Sequence, residues 1–510
     1  MSRSIKVWLN DQLFWQKLNN PVGFILLTII ALVVSYLTAM TGMKFGFLIL
    51  GAAVAIPLLG ACFLNHRFGI LFIVTISFFI EFVRKHTGAP VGTALDGLIF
   101  VMFFGILVKQ IKERDLGFAN SPISVLIIVW IFYNLIQVIN PWAASKMAWM
   151  YTVRSVAVML LLYFIACYAF KDLKTIMRAL KLILLLGVVT ALYGFKQEFF
   201  GYSAAEMAWL YEDEERFQLI YQWGRLRPVS LFADPTTFGI LMAYLAIFCL
   251  IMMTGPISWA KRLILLTAAG LMFMAMAFGG SRTPVVLIPF GFFIFMIMTL
   301  KPKIMIPVGI FLMMLPLFFI KRSSNPILYR IQSSFDMQSD ASVKVRMKNQ
   351  KFIQPYIQTH PFGAGLGSTG LWGRRFTPDS FLAKFAHDSG FVRIAVELGW
   401  VGLLIYMALL FTVLKTVVYY YIRVRDPMIK TVYLGLANIM FILALASYPQ
   451  EAILQLPTSI VFYICLAAIV KLKDFDPAFN PKLAAQLKLA EAKRATDQAL
   501  VDPSNKVTTD

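Results

Sequence analysis

The sequence predicts an all-α, polytopic membrane protein of about 12–14 transmembrane helices with one large extramembrane loop, and three observations carry that expectation. Hydrophobic residues make up 59% of the 510 and charged residues only 14%; soluble domains run at roughly 45–50% and 25%. Apolar runs of about 17–25 residues, the length that crosses a hydrocarbon core as a helix, recur along the chain. Basic residues concentrate on alternate connections between those runs, as the positive-inside rule requires. The runs are continuous rather than alternating, which excludes an outer-membrane barrel.

Taken in order, residues 1–21 carry Arg3, Lys6 and Lys17 and are expected to be cytoplasmic. Spans follow near 22–40 and 45–64. The next two, near 68–83 and 94–108, are short enough to form a re-entrant pair, which would give 12 helices rather than 14. Spans near 122–139, 153–170 and 174–199 lead to an outer connection, 200–235. Those near 236–254, 262–279, 283–299 and 304–320 complete the bundle of residues 22–320. Residues 321–388 form the large outer loop, with ten Lys/Arg against four Asp/Glu. The last spans lie near 389–420, 430–447 and 457–471, within 389–472, and 473–510 is a tail of balanced charge.

Under this arrangement both termini are cytoplasmic and the long connections face the outer side of the membrane. Cytoplasmic connections then hold Lys109, Lys112 and Arg114, the 171–181 cluster, Lys261 and Arg262, Lys301 and Lys303, and Arg423, Arg425 and Lys430. Arg84 and Lys85 are the exception. Net charge is 47 − 26 = +21, and topology accounts for it without a nucleic acid. Cys62, Cys167, Cys249 and Cys465 sit in apolar runs without CxxC spacing, so they read as small core residues. No cleavable signal, no metal and no cofactor are expected.

Four features converge on the outer face. Arg225-Leu226-Arg227-Pro228 precedes Phe232-Ala233-Asp234-Pro235 at the start of a span. Gly279-Gly280-Ser281-Arg282-Thr283-Pro284 makes a tight turn between two spans, placing Arg282 at the membrane boundary. Arg346 lies upstream of His360-Pro361-Phe362-Gly363-Ala364-Gly365-Leu366-Gly367. His387-Asp388-Ser389 enters the next span, followed by Glu397-Leu398-Gly399. Guanidinium groups bind phosphate oxygens bidentately and stay charged; a neutral imidazole accepts a proton from an incoming hydroxyl; Gly365 and Gly367 would let backbone N–H groups approach an anion. Each feature also has a plainer reading. Arg225 and Arg227 would pair with the acidic run 212–215, Arg282 would anchor a helix end, His360 would be a turn residue, and the glycines a flexible turn. Asp234 reads as a helix cap with Pro235 at the first position.

Together, an arginine before Phe-x-x-Pro, Gly-Ser-Arg-Thr in a tight turn, Arg then His-Pro-x-x-Gly-x-Gly, and a histidine leading into Glu-x-Gly-x-x-Gly-Leu resemble the O-antigen ligase family, a group that includes O-antigen polymerases and protein O-oligosaccharyltransferases. The resemblance spans about 225–405. It implies a helical fold like that of lipid-dependent (GT-C type) glycosyltransferases. It also implies a glycan donor on undecaprenyl diphosphate, and an acceptor hydroxyl on lipid A–core, another glycan or a protein. By position, Arg227 and Arg282 look like the family's diphosphate-contacting arginines, Arg346 like a further basic loop residue, and His387 like its essential histidine. Asp388 stands where many relatives carry Asn. A polysaccharide transporter without catalysis is the competing class, but no internal repeat supports it and intramembrane acids are few.

Overall fold

The computed structural model describes residues 20–41, 43–88, 91–114, 117–222, 224–317, 341–385, 389–486 and 489. It separates into two units, Met1–Asn65 and His66–Asp510. The first holds α1 (Pro21–Thr41) and α2 (Met43–Leu64), which pack on one another. Apolar side chains of α1 such as Phe24 and Leu32 stay exposed, as a helix whose solvent is lipid requires.

The second unit begins with α3 (His66–Thr87) and α4 (Val91–Glu113). At 22 and 23 residues both reach the length of a full crossing, so they are not the short re-entrant pair that the sequence left open. Then come α5 (Pro122–Ile136), α6 (Lys146–Ala169) and α7 (Leu173–Phe200). A folded cap follows: α8 (Ala204–Tyr211), α9 (Glu214–Ile220) and a hairpin of β1 (Tyr221–Gln222) with β2 (Arg225–Leu226). Trp209, Leu210, Ile220 and Val229 form its core. Next are α10 (Pro235–Met253), α11 (Trp259–Gly279), α12 (Arg282–Thr299) and α13 (Pro302–Leu317). The long loop contains α14 (Ala341–Thr359), α15 (Gly370–Phe376) and α16 (Phe381–Lys384). The chain closes with α17 (Gly390–Arg423), α18 (Pro427–Ala446) and α19 (Thr458–Leu472).

Eleven helices among the described residues are long and apolar enough to cross a membrane, and α2, α13 and α19 occupy the remaining expected positions. Burial separates centre from rim: α10 is 83% buried and α18 72%, against 28% for α12. Accordingly α10 packs on α11, α12 and α18, while α19 packs on α6. The polar contacts sort to two ends. At one, Arg67 pairs with Asp172 at 2.9 Å, and the Arg425 and Asp426 N–H groups donate to Asp476 Oδ2. At the other, Arg154 pairs with Asp96 at 3.0 Å and Lys85 Nζ donates to the Ser230 carbonyl at 3.2 Å. That last contact explains the charge-rule exception. Lys85 is buried at 5% exposure beneath the cap, 4.7 Å above the Trp209 ring, while Arg84 pairs with Glu81. A lysine spent this way adds no free charge to its connection.

One helix is broken. Gly399 has φ +71° within α17, a left-handed conformation that favours glycine. Three carbonyls at the break accept hydrogen bonds from other elements. Ala364 N–H donates to the Val396 carbonyl at 2.8 Å and Gly365 N–H to that of Glu397 at 2.9 Å, while the Tyr133 hydroxyl donates to that of Leu398 at 2.6 Å. Non-helical backbone at this level persists only where protein buries and satisfies it.

Candidate active site at the capped end

The Asp234 side chain caps α10, accepting from Thr236 N–H at 2.8 Å and Thr237 N–H at 2.9 Å, with Pro235 at the first position. This is the cap the sequence indicated. Beside it lies the 279–282 turn. Gly280 ends α11 in the left-handed region at φ +59°, and Ser281 Oγ lies 3.1 Å from Thr236 Oγ1.

The two arginine motifs meet here. Arg225 Nη2 donates to the Phe278 carbonyl at 3.1 Å and its Nη1 pairs with Glu198 Oε1 at 2.5 Å. Arg227 donates from Nε to the Gly279 carbonyl at 2.9 Å and from Nη2 to Ser281 Oγ at 2.5 Å. Its Nη1 reaches Gln222 Oε1 at 3.0 Å and the Leu219 carbonyl at 3.3 Å. Both cations thus hold the carboxyl end of α11, where orphan carbonyls and the helix dipole favour positive charge. Burial lowers the Arg227 pKa to about 10, with Asp234 opposing the shift; it remains charged at neutral pH. The acidic run 212–215 serves other partners: Glu212 and Asp213 pair with Arg216, and Glu215 with Arg374. Arg282 opens α12 immediately after this turn, close enough to Arg227 for the two charges to repel.

The glycine run 363–367 is a packed clasp. A Cβ on Gly363 would lie 2.6 Å from the Glu397 carbonyl carbon, one on Gly365 2.6 Å from Ala143 Cβ, and one on Gly367 2.7 Å from the Ala148 carbonyl oxygen. The N–H groups of Gly363 and Gly365 are taken by the His360 and Glu397 carbonyls. Asn140 Nδ2 donates to the Phe362 carbonyl at 3.0 Å and the Gly363 carbonyl at 3.1 Å. His360 is the turn residue of the plainer reading, its Nδ1 3.0 Å from the Tyr356 carbonyl and its ring stacked on Tyr356 at 4.0 Å.

His387 and Asp388 lie outside the described residues, as does the Arg346 side chain, whose backbone belongs to α14. Phe385 packs with Ile353, Ala364, Leu382 and Val396. Gly390 N–H donates to the Ser447 and Gln450 carbonyls at 3.0 and 3.3 Å. From the same 447–457 connection, Gln455 accepts a hydrogen bond from Thr237 Oγ1, next to Thr236 and the Ser281 turn. A continuous set of contacts therefore joins the Ser281 turn to Gly390 at the start of α17.

Sequence reasoning singled out Glu397 but missed Arg393, Glu451 and Asn134 beside it. Arg393 pairs with Glu451 Oε2 at 2.6 Å and with Glu397 Oε1 at 3.3 Å, and Glu397 also accepts from Thr369 Oγ1 at 2.5 Å. Asn134, fully buried, faces the same place. A lone arginine and a lone glutamate on the basic-poor outer side were the available signals. Among the described residues no group of three or more His, Cys, Asp or Glu is placed to hold a metal ion, and all four cysteines are buried and unpaired by disulfides.

Residues 267–407 match the O-antigen ligase family. The matched stretch runs from within α11 to the lower part of α17, so it contains Arg282, the glycine clasp, His387 and the Gly399 break, and leaves out Arg225 and Arg227. None of the curated proteins matches the chain. The helical bundle and the matched segment agree with the resemblance drawn from the motifs: this is a polytopic helical membrane protein in which residues 267–407 match the O-antigen ligase family.

Proposed function

We propose that the chain transfers a glycan from undecaprenyl diphosphate to an acceptor hydroxyl at the periplasmic face of the inner membrane. His387 is the general base and Arg282 the principal diphosphate contact. In the transfer step the acceptor oxygen forms a bond to the anomeric carbon as its proton passes to His387. The bond from that carbon to the diphosphate oxygen breaks, and the lipid diphosphate leaves with the electron pair. Positive charge fixed near the departing oxygens lowers the barrier because it is in place before charge develops. Guanidinium groups supply it here, so the step as written calls on no metal. Arg346 is a further basic contact from the long loop.

The observation that carries this reading is the grip of Arg225 and Arg227 on residues 278–281. It sets the turn from which Arg282 emerges and spends two cations on rigidity, which a simple helix anchor would not need. Arg225 and Arg227 are thereby positioning residues in this proposal, and Gly365 and Gly367 hold the wall of the site.

The experiment is a transfer assay with purified protein, a polyprenyl-diphosphate glycan and an acceptor. Arg282→Ala and His387→Ala should each lower the rate by about 100-fold or more, the scale of a lost acid–base or charge contact, with the melting profile retained. Wild-type rates in both variants would end the proposal. In cells, loss of a ligase leaves long chains on the lipid carrier, whereas loss of a polymerase leaves single repeats on the acceptor.

A further inference from the structure

A cavity of about 110 Å³ lies between α5, α6, α17 and α19, under the glycine clasp. A single water needs only about 10–15 Å³ of such space, so the cavity is built for more than one. Two of its lining residues carry a buried side-chain atom with no hydrogen-bond partner: Oδ1 of Asn134, a residue with 0% exposure, and Oγ of Ser459, at 4%. Buried polar atoms rarely go unsatisfied in a folded protein. An amide oxygen in this position calls for a donor on a guest, and a hydroxyl calls for either partner.

The other walls narrow the guest's chemistry. Trp130, Tyr406 and Tyr463 present flat apolar surface, and Arg393 and Glu397 present charged hydrogen-bonding edges. Flat apolar faces beside amide, hydroxyl and carboxylate groups match a ring with hydroxyls around its edge. Formal charge disfavours the diphosphate itself. The charged lining residues, Arg393 and Glu397, sum to zero, whereas the Arg225, Arg227 and Arg282 cluster stays positive even with Glu198 and Asp234 counted. The depth is also right. Below Gly399, α17 retains residues 400–423, about 36 Å at 1.5 Å per residue, enough for a hydrocarbon core of about 30 Å. The segment 390–398, which carries Arg393 and Glu397, therefore stands at the outer boundary.

We infer that this cavity is a subsite for a neutral, hydroxyl-bearing sugar ring, contributed by the acceptor or by the first sugar of the donor. The inference rests on the proposed transferase reading.

Its test uses full-length protein in lipid nanodiscs, with donor and acceptor concentrations varied separately. Asn134→Leu and Ser459→Ala each remove one unpartnered atom. Deleting a hydroxyl that nothing in the protein uses should leave folding intact, so Ser459→Ala alone decides the matter if Asn134→Leu fails to fold. The expected result is a tenfold or greater rise in KM for one glycan substrate, with unchanged inhibition by sugar-free polyprenyl diphosphate. A rise in acceptor KM assigns the ring to the acceptor, and a rise in donor KM assigns it to the donor. Both KM values within twofold of wild type would overturn the inference and leave the cavity to ordered water. Weakened inhibition by the sugar-free diphosphate would overturn it too, because that marks general distortion. If the wild type catalyses no transfer, the ligase reading fails separately and binding decides. Glycan-bearing lipid should then bind at least tenfold tighter than sugar-free lipid, an advantage lost in Ser459→Ala; equal binding of the two lipids by the wild type overturns the subsite.

Discussion

Replacing Arg227 separates a strap from a ligand contact. Its guanidinium makes four hydrogen bonds to protein at 2.5–3.3 Å and is 5% exposed. A hydrogen bond to a charged group contributes about 1.5–3 kcal/mol, and such terms do not add; removing one partner of a buried charged network costs about 3–5 kcal/mol. Arg227→Ala should therefore destabilise the protein by about 3–5 kcal/mol, freeing the Gly279 carbonyl and the Ser281 hydroxyl. Arg227→Lys keeps the charge but replaces a planar fork with a point donor. It satisfies one or two of the four acceptors and should still cost about 1.5–3 kcal/mol. Thermal melts in nanodiscs, run beside the transfer assay, should show stability and activity falling together in both variants. An Arg227→Ala protein that melts like wild type yet transfers nothing would refute the strap and restore Arg227 to direct diphosphate contact.

The clasp predicts a contrast between two glycines that share a positive φ. Gly201→Ala, at φ +78° and ψ −175° with nothing within 4 Å of the added Cβ, should cost only the conformational penalty of about 1–3 kcal/mol. Gly363→Ala, at φ +73° with the Glu397 carbonyl 2.6 Å from the new atom, should lose most of its folded yield; equal yields would show that the clasp can give way. Glu206 predicts a pH effect. Burial raises its pKa, but hydrogen bonds from Ser203 and Gln197 and the charge of Lys196 outweigh it and leave the pKa below 4.5. A depressed carboxyl pKa contributes stability above the unfolded value that is lost as pH falls through the folded one. Melting temperature should therefore drop below about pH 4.5 in the wild type and drop less in Glu206→Gln; parallel curves would contradict the assignment.

The helices were legible in the sequence because each needs only length and apolar content. Every expected span from 22–40 to 457–471 has its helix. The Asp234 cap was legible for a similar reason, since its partners lie two and three residues away. What could not be read were contacts between distant segments. Arg225 finds Glu198 rather than the acidic run 212–215 closer to it in sequence, because the hairpin turns it back toward α7. Lys85 looked like an exposed cation on the wrong side until the cap placed Trp209 over it. The glycine run and Glu397-Leu398-Gly399 were visible as separate motifs, but no local pattern reveals that one breaks a helix and the other donates to its carbonyls.

That pairing bears on how the site is built. A straight 34-residue α17 would run about 51 Å, far more than a bilayer core requires. The break at Gly399 divides it into a part long enough to span alone and a nine-residue outer part, 390–398, whose direction the clasp sets. The outer part is free of membrane duty and can carry charge. It places Arg393 and Glu397 against the 447–457 connection through Glu451, and that connection reaches Thr237 beside the Ser281 turn. The positive turn and the cavity, whose charged lining residues Arg393 and Glu397 sum to zero, are thus fixed to one framework at the same end of the bundle. A substrate with a diphosphate at one end and a neutral sugar at the other would be oriented by that difference in charge alone, before any specific contact with the sugar forms.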